Sequence, residues 1–210
     1  MKQPYLIRIV DDDPSVVESL QFMLEMAGLQ VKSYDGAETF LQRDDPKREG
    51  CLLLDVRMPG MTGLELQHRM RGLGNDLPIV FLSAHGDIRM AVQAVQEGAV
   101  DFLVKPPQTD ELLAVLRRAC SIHAERRRLD SELLASENVW SSLTSAEQDT
   151  AELIAKGLTN RETASVLGIS EETVRSRRSS ILAKLEAVNA VEIADFLHER
   201  NTLREKVTWR

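Results

Sequence analysis

Three acidic residues in a row, Asp11-Asp12-Asp13, follow the apolar run Tyr5-Leu6-Ile7-Arg8-Ile9-Val10. A fourth aspartate, Asp55, closes a second such run, Cys51 to Leu54, and Lys105 closes a third, Val100 to Val104. Carboxylates gathered in one place repel each other unless a hard cation sits among them. A small oxygen-bound divalent ion, Mg²⁺ or a similar cation such as Mn²⁺, suits that need. The lysine adds a positive charge for an anion held beside the metal. Those residue types together predict a phosphoryl site.

A second group lies far downstream. Thr173 to Leu185 holds Arg175, Arg177, Arg178 and Lys184 and no acid. The net charge of −7 argues against nonspecific coating of nucleic acid, but it averages over unlike regions. Residues 1–120 carry 13 basic and 18 acidic side chains, whereas 143–210 carry 10 and 11. A local basic helix in a nearly balanced tail is the pattern of a DNA-facing element.

Both groups need elements to position them. Strand-like runs fall at 5–10, 29–34, 50–55, 78–83 and 100–104, with helical patterns at about 14–27, 36–43, 63–72, 87–97 and from 110 onward. Pro78-Ile79-Val80-Phe81-Leu82 is apolar throughout, as a strand covered on both faces should be. Five βα units predict an α/β doubly wound five-stranded parallel sheet, flavodoxin-like in order. The carboxyl ends of its strands then share one edge, where open sheets of this kind place their ligands. Gly28 is suited to cap the first helix in the left-handed conformation.

Residues 1–120 form one predicted domain, 121–142 a helical linker, and 143–210 a small all-α domain of four helices. The linker has helix formers, the basic run Arg126-Arg127-Arg128 and no Pro or Gly after His123; a solvated face is the reading preferred over a DNA contact. In the last domain Thr144 with Glu147, and Thr159 with Glu162, have capping-box spacing. Gly168-Ile169-Ser170 then separates two helices, which is a helix-turn-helix. Val174, Ile181, Leu182 and Leu185 should bury the third helix, leaving Arg175 and Ser179 on another face. A fourth helix, about 190–200, presents Val191, Ile193, Ala194 and Leu197.

At 210 residues, with 43% hydrophobic and 28% charged residues, the chain can bury a core in each of two domains. No run approaches the roughly 20 apolar residues that cross a bilayer. Met1 to Pro4 leads into a strand without a signal-peptide core, so no membrane role and a cytoplasmic location are expected. Cys51 and Cys120, isolated in apolar contexts, read as small core residues in a reducing compartment rather than a disulfide or metal pair. His68, His123 and His198 lack metal-ligand spacing and read as surface residues. Arg89-Met90-Ala91-Val92 with Val95 has helical period and reads as core packing, with an outer face available for dimerisation.

Val10-Asp11-Asp12-Asp13, Leu54-Asp55-Val56-Arg57-Met58-Pro59-Gly60-Met61-Thr62-Gly63, Ser83-Ala84-His85-Gly86-Asp87 and Lys105-Pro106 resemble the receiver domain of bacterial response regulators. Leu143-Thr144, Glu147, Gly157-Leu158-Thr159-Asn160, Ala164, Leu167-Gly168-Ile169-Ser170, Thr173-Val174 and Lys184-Leu185 resemble the LuxR-type DNA-binding tail. Together they resemble a NarL/FixJ-type two-component response regulator over nearly the whole chain.

The resemblance implies that Asp55 is the phosphoacceptor. It implies Mg²⁺ on Asp12 and Asp55, with Asp11 supporting through water and the backbone carbonyl of Arg57 as a further ligand; Asp13 falls outside. Lys105 and Ser83 would meet the phosphoryl oxygens, Phe102 would be the aromatic switch, and the Lys105-Pro106 bond would be cis. His85 has two readings, tuning of phosphoryl lifetime or a loop histidine without consequence. Arg175, Ser176 and Ser179 would read bases in the major groove, and Arg177, Arg178 and Lys184 would contact phosphates, with Thr173 and Asn160 adding polar contacts.

The chain departs from the family pattern in places. Pro107 stands where an aromatic is usual, Ala146 for arginine, Thr163 for isoleucine, Arg177 for histidine, and Glu186 where a glycine would ease a left-handed turn. The expected function is a phosphorylation-controlled transcription regulator, an activator rather than an enzyme. Its expected partners are a sensor histidine kinase, double-stranded promoter DNA, RNA polymerase and, once phosphorylated, a second copy. Two rivals are a DNA-binding regulator that works without phosphorylation and a phosphohydrolase using Asp55 as nucleophile.

Overall fold

The computed structural model describes residues 5–84 and 88–208, which divide into two compact units between Glu125 and Arg126. The first unit is a five-stranded parallel sheet in the order β2-β1-β3-β4-β5. Its strands are β1 (Leu6–Val10), β2 (Gln30–Tyr34), β3 (Gly50–Asp55), β4 (Ile79–Ser83) and β5 (Asp101–Val104). The helices between them are α1 (Pro14–Met26), α2 (Ala37–Arg43), α3 (Gly63–Gly72) and α4 (Ile88–Gln96), and α5 (Thr109–Ser141) follows β5. Strands β1, β3 and β4 are buried along their whole length, which is why they read as continuous apolar runs. One face of the sheet packs through Leu52, Leu54, Phe81, Leu66 and Phe40, the other through Ile7, Leu53, Leu24, Leu116 and Cys120.

A charged residue interrupts that core. Arg8 on β1 is fully buried. Its Nε donates to Asp44 at 3.0 Å, and its Nη2 donates to the carbonyls of Asp45 and Arg48 at 2.8 and 2.9 Å. The Tyr34 hydroxyl donates to the same Asp44 at 2.6 Å. Burial and that aspartate both push the Tyr34 phenol well above its ordinary range. A buried ion survives where paired and fully hydrogen-bonded, and Arg8 meets both conditions.

Three expectations for the first unit need correction. His123 is buried, not on the surface: its Nδ1 accepts the Gly50 N–H at 3.0 Å, because α5 runs straight past the start of β3. His68 and His198 are exposed as expected. On α4 only Ala94 is buried, with Met90 packed beside it, while Val92 and Val95 are about half exposed and point outward. Cys51 and Cys120 are both buried and free, but they are not isolated: their sulfurs lie 3.6 Å apart.

The second unit takes in the C-terminal turns of α5 and then α6 (Ser145–Ala155), α7 (Asn160–Leu167), α8 (Glu171–Lys184) and α9 (Ala190–Thr208). Thr144 with Glu147 and Thr159 with Glu162 form complete capping boxes, and Ser170 caps α8 through the Thr173 N–H. Gly168, at φ +66°, ends α7 in the left-handed conformation that glycine adopts without strain. Glu186 takes the same turn at φ +54° without being glycine, so the helix ends there at a conformational cost. Its neighbour completes the motif, the Ala187 N–H bonding the Leu182 carbonyl at 2.9 Å.

Helix α9 runs past the predicted end near 200, since 201–208 contain neither Gly nor Pro. The apolar residues it presents are mostly core: Ile193 is fully buried and Leu197 packs against the same cluster as Trp140, Ile154 and Ile181, which leaves Val191 exposed. Farther along, Arg200 lies over the Trp140 ring at 4.6 Å and, with Arg204, clasps Glu137 on α5. Among the described residues no helix is long and apolar enough to cross a membrane.

Candidate functional sites

Strand register brings the chemistry of the first unit to one edge. Val10 pairs with Leu54, Asp55 with Leu82, and Ser83 with Val104. Asp11, Asp55, Ser83 and Lys105 are therefore adjacent at the carboxyl ends of β1, β3, β4 and β5. Asp11 and Asp55 are 2% and 6% exposed, which decides that neither is a solvated surface acid. The Lys105 ammonium bridges them, 2.6 Å from Asp11 Oδ2 and 2.5 Å from Asp55 Oδ1. The Lys105–Pro106 peptide is cis.

Local geometry aims each group. The second oxygen of Asp55 accepts the Arg57 N–H at 2.7 Å, which fixes the carboxylate in its loop. Asp11 Oδ1 accepts the Asp13 N–H at 3.1 Å, and Asp13 itself turns away to cap α1. Gly63 opens α3 against the Asp55 backbone, where an added Cβ would stand 2.1 Å from the Asp55 carbonyl oxygen. Burial raises the Asp55 carboxyl above its ordinary range, opposed by the Lys105 bond and charge and assisted by Asp11. Burial works to lower the Lys105 ammonium, but its bonds to Asp11 and Asp55 outweigh that and raise it.

The remaining receiver positions are less convergent. Asp12 is exposed beside the pair, and Arg57 is exposed on the following loop. Ser83 is buried and Phe102 is half-buried, its ring 6.3 Å from Phe81 and packed against the core. His85 lies outside the described residues. Two buried carboxylates that share one cation fit a small hard metal, which is commonly held by one or two carboxylates and keeps several waters. No cluster of three or more His, Cys, Asp or Glu side chains suited to a metal occurs among the described residues. A Mg²⁺ here would rest on Asp11, Asp12 and Asp55 together with backbone oxygen and water.

In the second unit, α8 carries the basic residues, but they are not equivalent. Arg175, Ser176 and Ser179 are exposed on one side of the helix. Arg178 donates to Asn160 Oδ1 at 3.2 Å, tying α8 to the start of α7. Arg177 donates to the Ala146 carbonyl at 3.3 Å and to Thr150 Oγ1 at 3.4 Å, so two positions that depart from the family pattern meet each other. Thr173 is half-buried and bonded to Ser170 through its hydroxyl.

Lys184, though exposed, is also paired within the unit. Its ammonium lies 2.7 Å from Glu147 Oε2, and the Ser180 hydroxyl donates to Glu147 Oε1 at 2.5 Å. Those bonds, the Lys184 one first, hold the Glu147 carboxyl down to about 2. In the sequence Glu147 shows only as a helix cap; its tie to α8 spans 37 residues and leaves no local signal.

Sheet edge and basic helix together define a receiver joined to a helix-turn-helix domain. The description "Response regulator receiver domain" matches residues 7–117, and "Bacterial regulatory proteins, luxR family" matches 141–197. The chain belongs to the two-component response regulators with a LuxR-type DNA-binding domain, which regulate transcription. It is 37% identical to the response regulator protein TmoT of Ectopseudomonas mendocina over 91% of this chain and 87% of that one. It is 34% identical to the transcriptional regulatory protein FixJ of Azorhizobium caulinodans, covering 92% of each. Among solved structures, the response regulator StyR is similar at a TM-score of 0.87 and 40% identity, covering 94% of this chain and all of that one.

Proposed function

We infer that a sensor histidine kinase phosphorylates Asp55, and that the phosphorylated protein dimerises and binds promoter DNA through α8 to activate transcription. The observation that carries this reading is the Lys105 ammonium between two buried carboxylates: the edge is built for charge that a phosphoryl group would rearrange. A carboxylate oxygen of Asp55 attacks phosphorus, the bond from phosphorus to the donor's imidazole nitrogen breaks, and that nitrogen leaves with its electron pair. When bound, Mg²⁺ supplies positive charge to offset that on the transferring group. Lys105 shifts its ammonium toward the new phosphoryl oxygens, and the Ser83 hydroxyl donates to one of them.

Phosphorylation adds roughly −1.5 to −2 charge at this edge. Ser83 draws toward that charge and Phe102 moves inward, a two-state change biased by one local group. The outward Ile88, Val92 and Val95 of α4, with Val104 of β5, supply apolar surface for the dimer. Among the tail residues, Arg175, Ser176 and Ser179 read bases. Arg178 and the remaining polar groups, Arg177, Lys184, Thr173 and Asn160, hold α8 in place or contact phosphates. The setting is the cytoplasm, where kinase, DNA and RNA polymerase meet the protein.

The test is recovery of genomic DNA on protein treated with acetyl phosphate and Mg²⁺, with the same protein sedimented for mass. The expected result is enrichment of discrete fragments and a dimer in treated wild type, and neither in treated Asp55→Asn. Equal enrichment by both proteins would support a regulator that works without phosphorylation.

A further inference from the structure

We propose that Cys51 and Cys120 are a redox modification site, a dithiol that a hydroperoxide converts to an intramolecular disulfide stapling α5 to β3. The two residues are 69 apart in sequence, yet the Cys120 thiol points at the Cys51 sulfur across 3.6 Å. Both sit on rigid, packed elements, in the same core cluster as Leu53, Leu116 and Ala119. Closing from that separation to the roughly 2.05 Å of a disulfide needs side-chain rotation and a small approach of α5. Cys51 also donates weakly to the Leu116 carbonyl at 3.9 Å, which holds its sulfur on the α5 side.

The environment makes the two thiols unlike. Its contact with Cys51 lowers the Cys120 thiol, burial opposes it, and the charge of Arg8 lowers it further. Cys51 is pushed up, by its bond to Cys120 first and then by burial. Cys120, 2% exposed against 0% for Cys51, is the sulfur a peroxide reaches first and so the attacking one, with Cys51 resolving. The Cys120 thiolate attacks one peroxide oxygen, the O–O bond breaks, and the departing oxygen leaves as water or an alcohol once protonated. The Cys51 sulfur then attacks the sulfenic sulfur, the S–S bond forms, the S–O bond breaks, and water leaves with the Cys51 proton. Two thiols lose two electrons and the hydroperoxide gains them. Burial leaves Cys51 and Cys120 0% and 2% exposed, which favours a small peroxide over a bulky disulfide as oxidant.

The staple would fix α5 to the strand that carries Asp55 at its far end, and a disulfide of this kind is expected to be transient in a reducing compartment. The test treats the reduced full chain with stoichiometric hydrogen peroxide and reads intact mass and peptide maps. Wild type should lose about 2 Da, yield one linked pair of peptides containing Cys51 and Cys120, and regain the mass on reduction. The oxidised form should melt several degrees higher than the reduced one. Cys51→Ala should instead stop at a gain of about 16 Da on Cys120, trapped by a sulfenic-acid reagent. Wild type that keeps two alkylatable thiols, is oxidised only to higher acids, or links two chains rather than one would overturn the proposal. The peptide map on wild type decides the matter even if a variant does not fold.

Discussion

The two units use charge in opposite ways. At the sheet edge, Asp11, Asp55 and Lys105 arrive from three strands and spend their charge on one another at the place where a ligand would bind. In the DNA-binding unit the basic residues come from one helix, and Lys184, Arg177 and Arg178 spend much of theirs on internal partners. Only Arg175 stands exposed among the α8 arginines. A receiver site is thus a convergence of long-range charges, whereas the recognition helix is a local run of charge partly recruited to hold the helix. Counting arginines on α8 therefore overstates what is available to DNA.

The largest effect should come from the buried ion that serves structure alone. Asp44→Ala leaves the Arg8 guanidinium buried without its carboxylate, and chemical denaturation should show a loss of about 3–5 kcal/mol from the first unit. Unchanged stability would mean that Arg8 finds water or another acid, and that charge in this unit is not confined to pairs.

The next effect concerns DNA. Arg175→Ala should cost about 1–3 kcal/mol on a recovered cognate duplex and relax preference at one base position. Arg178→Ala should weaken cognate and scrambled duplexes alike and make the salt slope shallower by roughly one. If Arg175→Ala lowered both duplexes by the same factor, Arg175 would be a phosphate contact and the division of roles on α8 would fail.

A smaller effect tests the internal role of Lys184. Glu147 is held at about 2, below the 4.5 of a free glutamate, so its contribution is present above about pH 4.5 and is lost as pH falls toward 2. Glu147→Gln should remove about 1–2 kcal/mol at neutral pH, allowing for the partly exposed Lys184, and flatten the acid limb of the unfolding curve for the second unit. The smallest effect is a gain. Glu186→Gly should relieve the left-handed turn at φ +54° and stabilise the unit by about 1 kcal/mol.

These contrasts also explain what could be read in advance. The parallel sheet was legible because strands covered on both faces leave unbroken apolar runs, and each run ended in a charged residue that register then placed at one edge. The helix starts of the second unit were legible because a capping box is a four-residue signal. Arg8 and His123 were not, since a polar residue inside an apolar pattern reads as a break unless its partner is known. Those partners, Asp44 and Gly50, lie 36 and 73 residues away. The same holds for Lys184 and for the Glu137 clasp by Arg200 and Arg204, which ties the extension of α9 to α5. Periodicity reports which face is buried, not what buries it.

We propose that Asp55 is where the sheet edge accepts a phosphoryl group. Its most direct test is peptide mass mapping after treatment with acetyl phosphate and Mg²⁺. We expect one phosphoryl group on the peptide containing Asp55, labile in acid, base and hydroxylamine as an acyl phosphate is, and absent from Asp55→Asn. A Lys105→Ala protein should still accept it but no longer convert it into dimer. Labelling of Asp55→Asn at the wild-type rate, or a phosphoryl group mapped to Asp11 or Asp12 in wild type, would contradict the account.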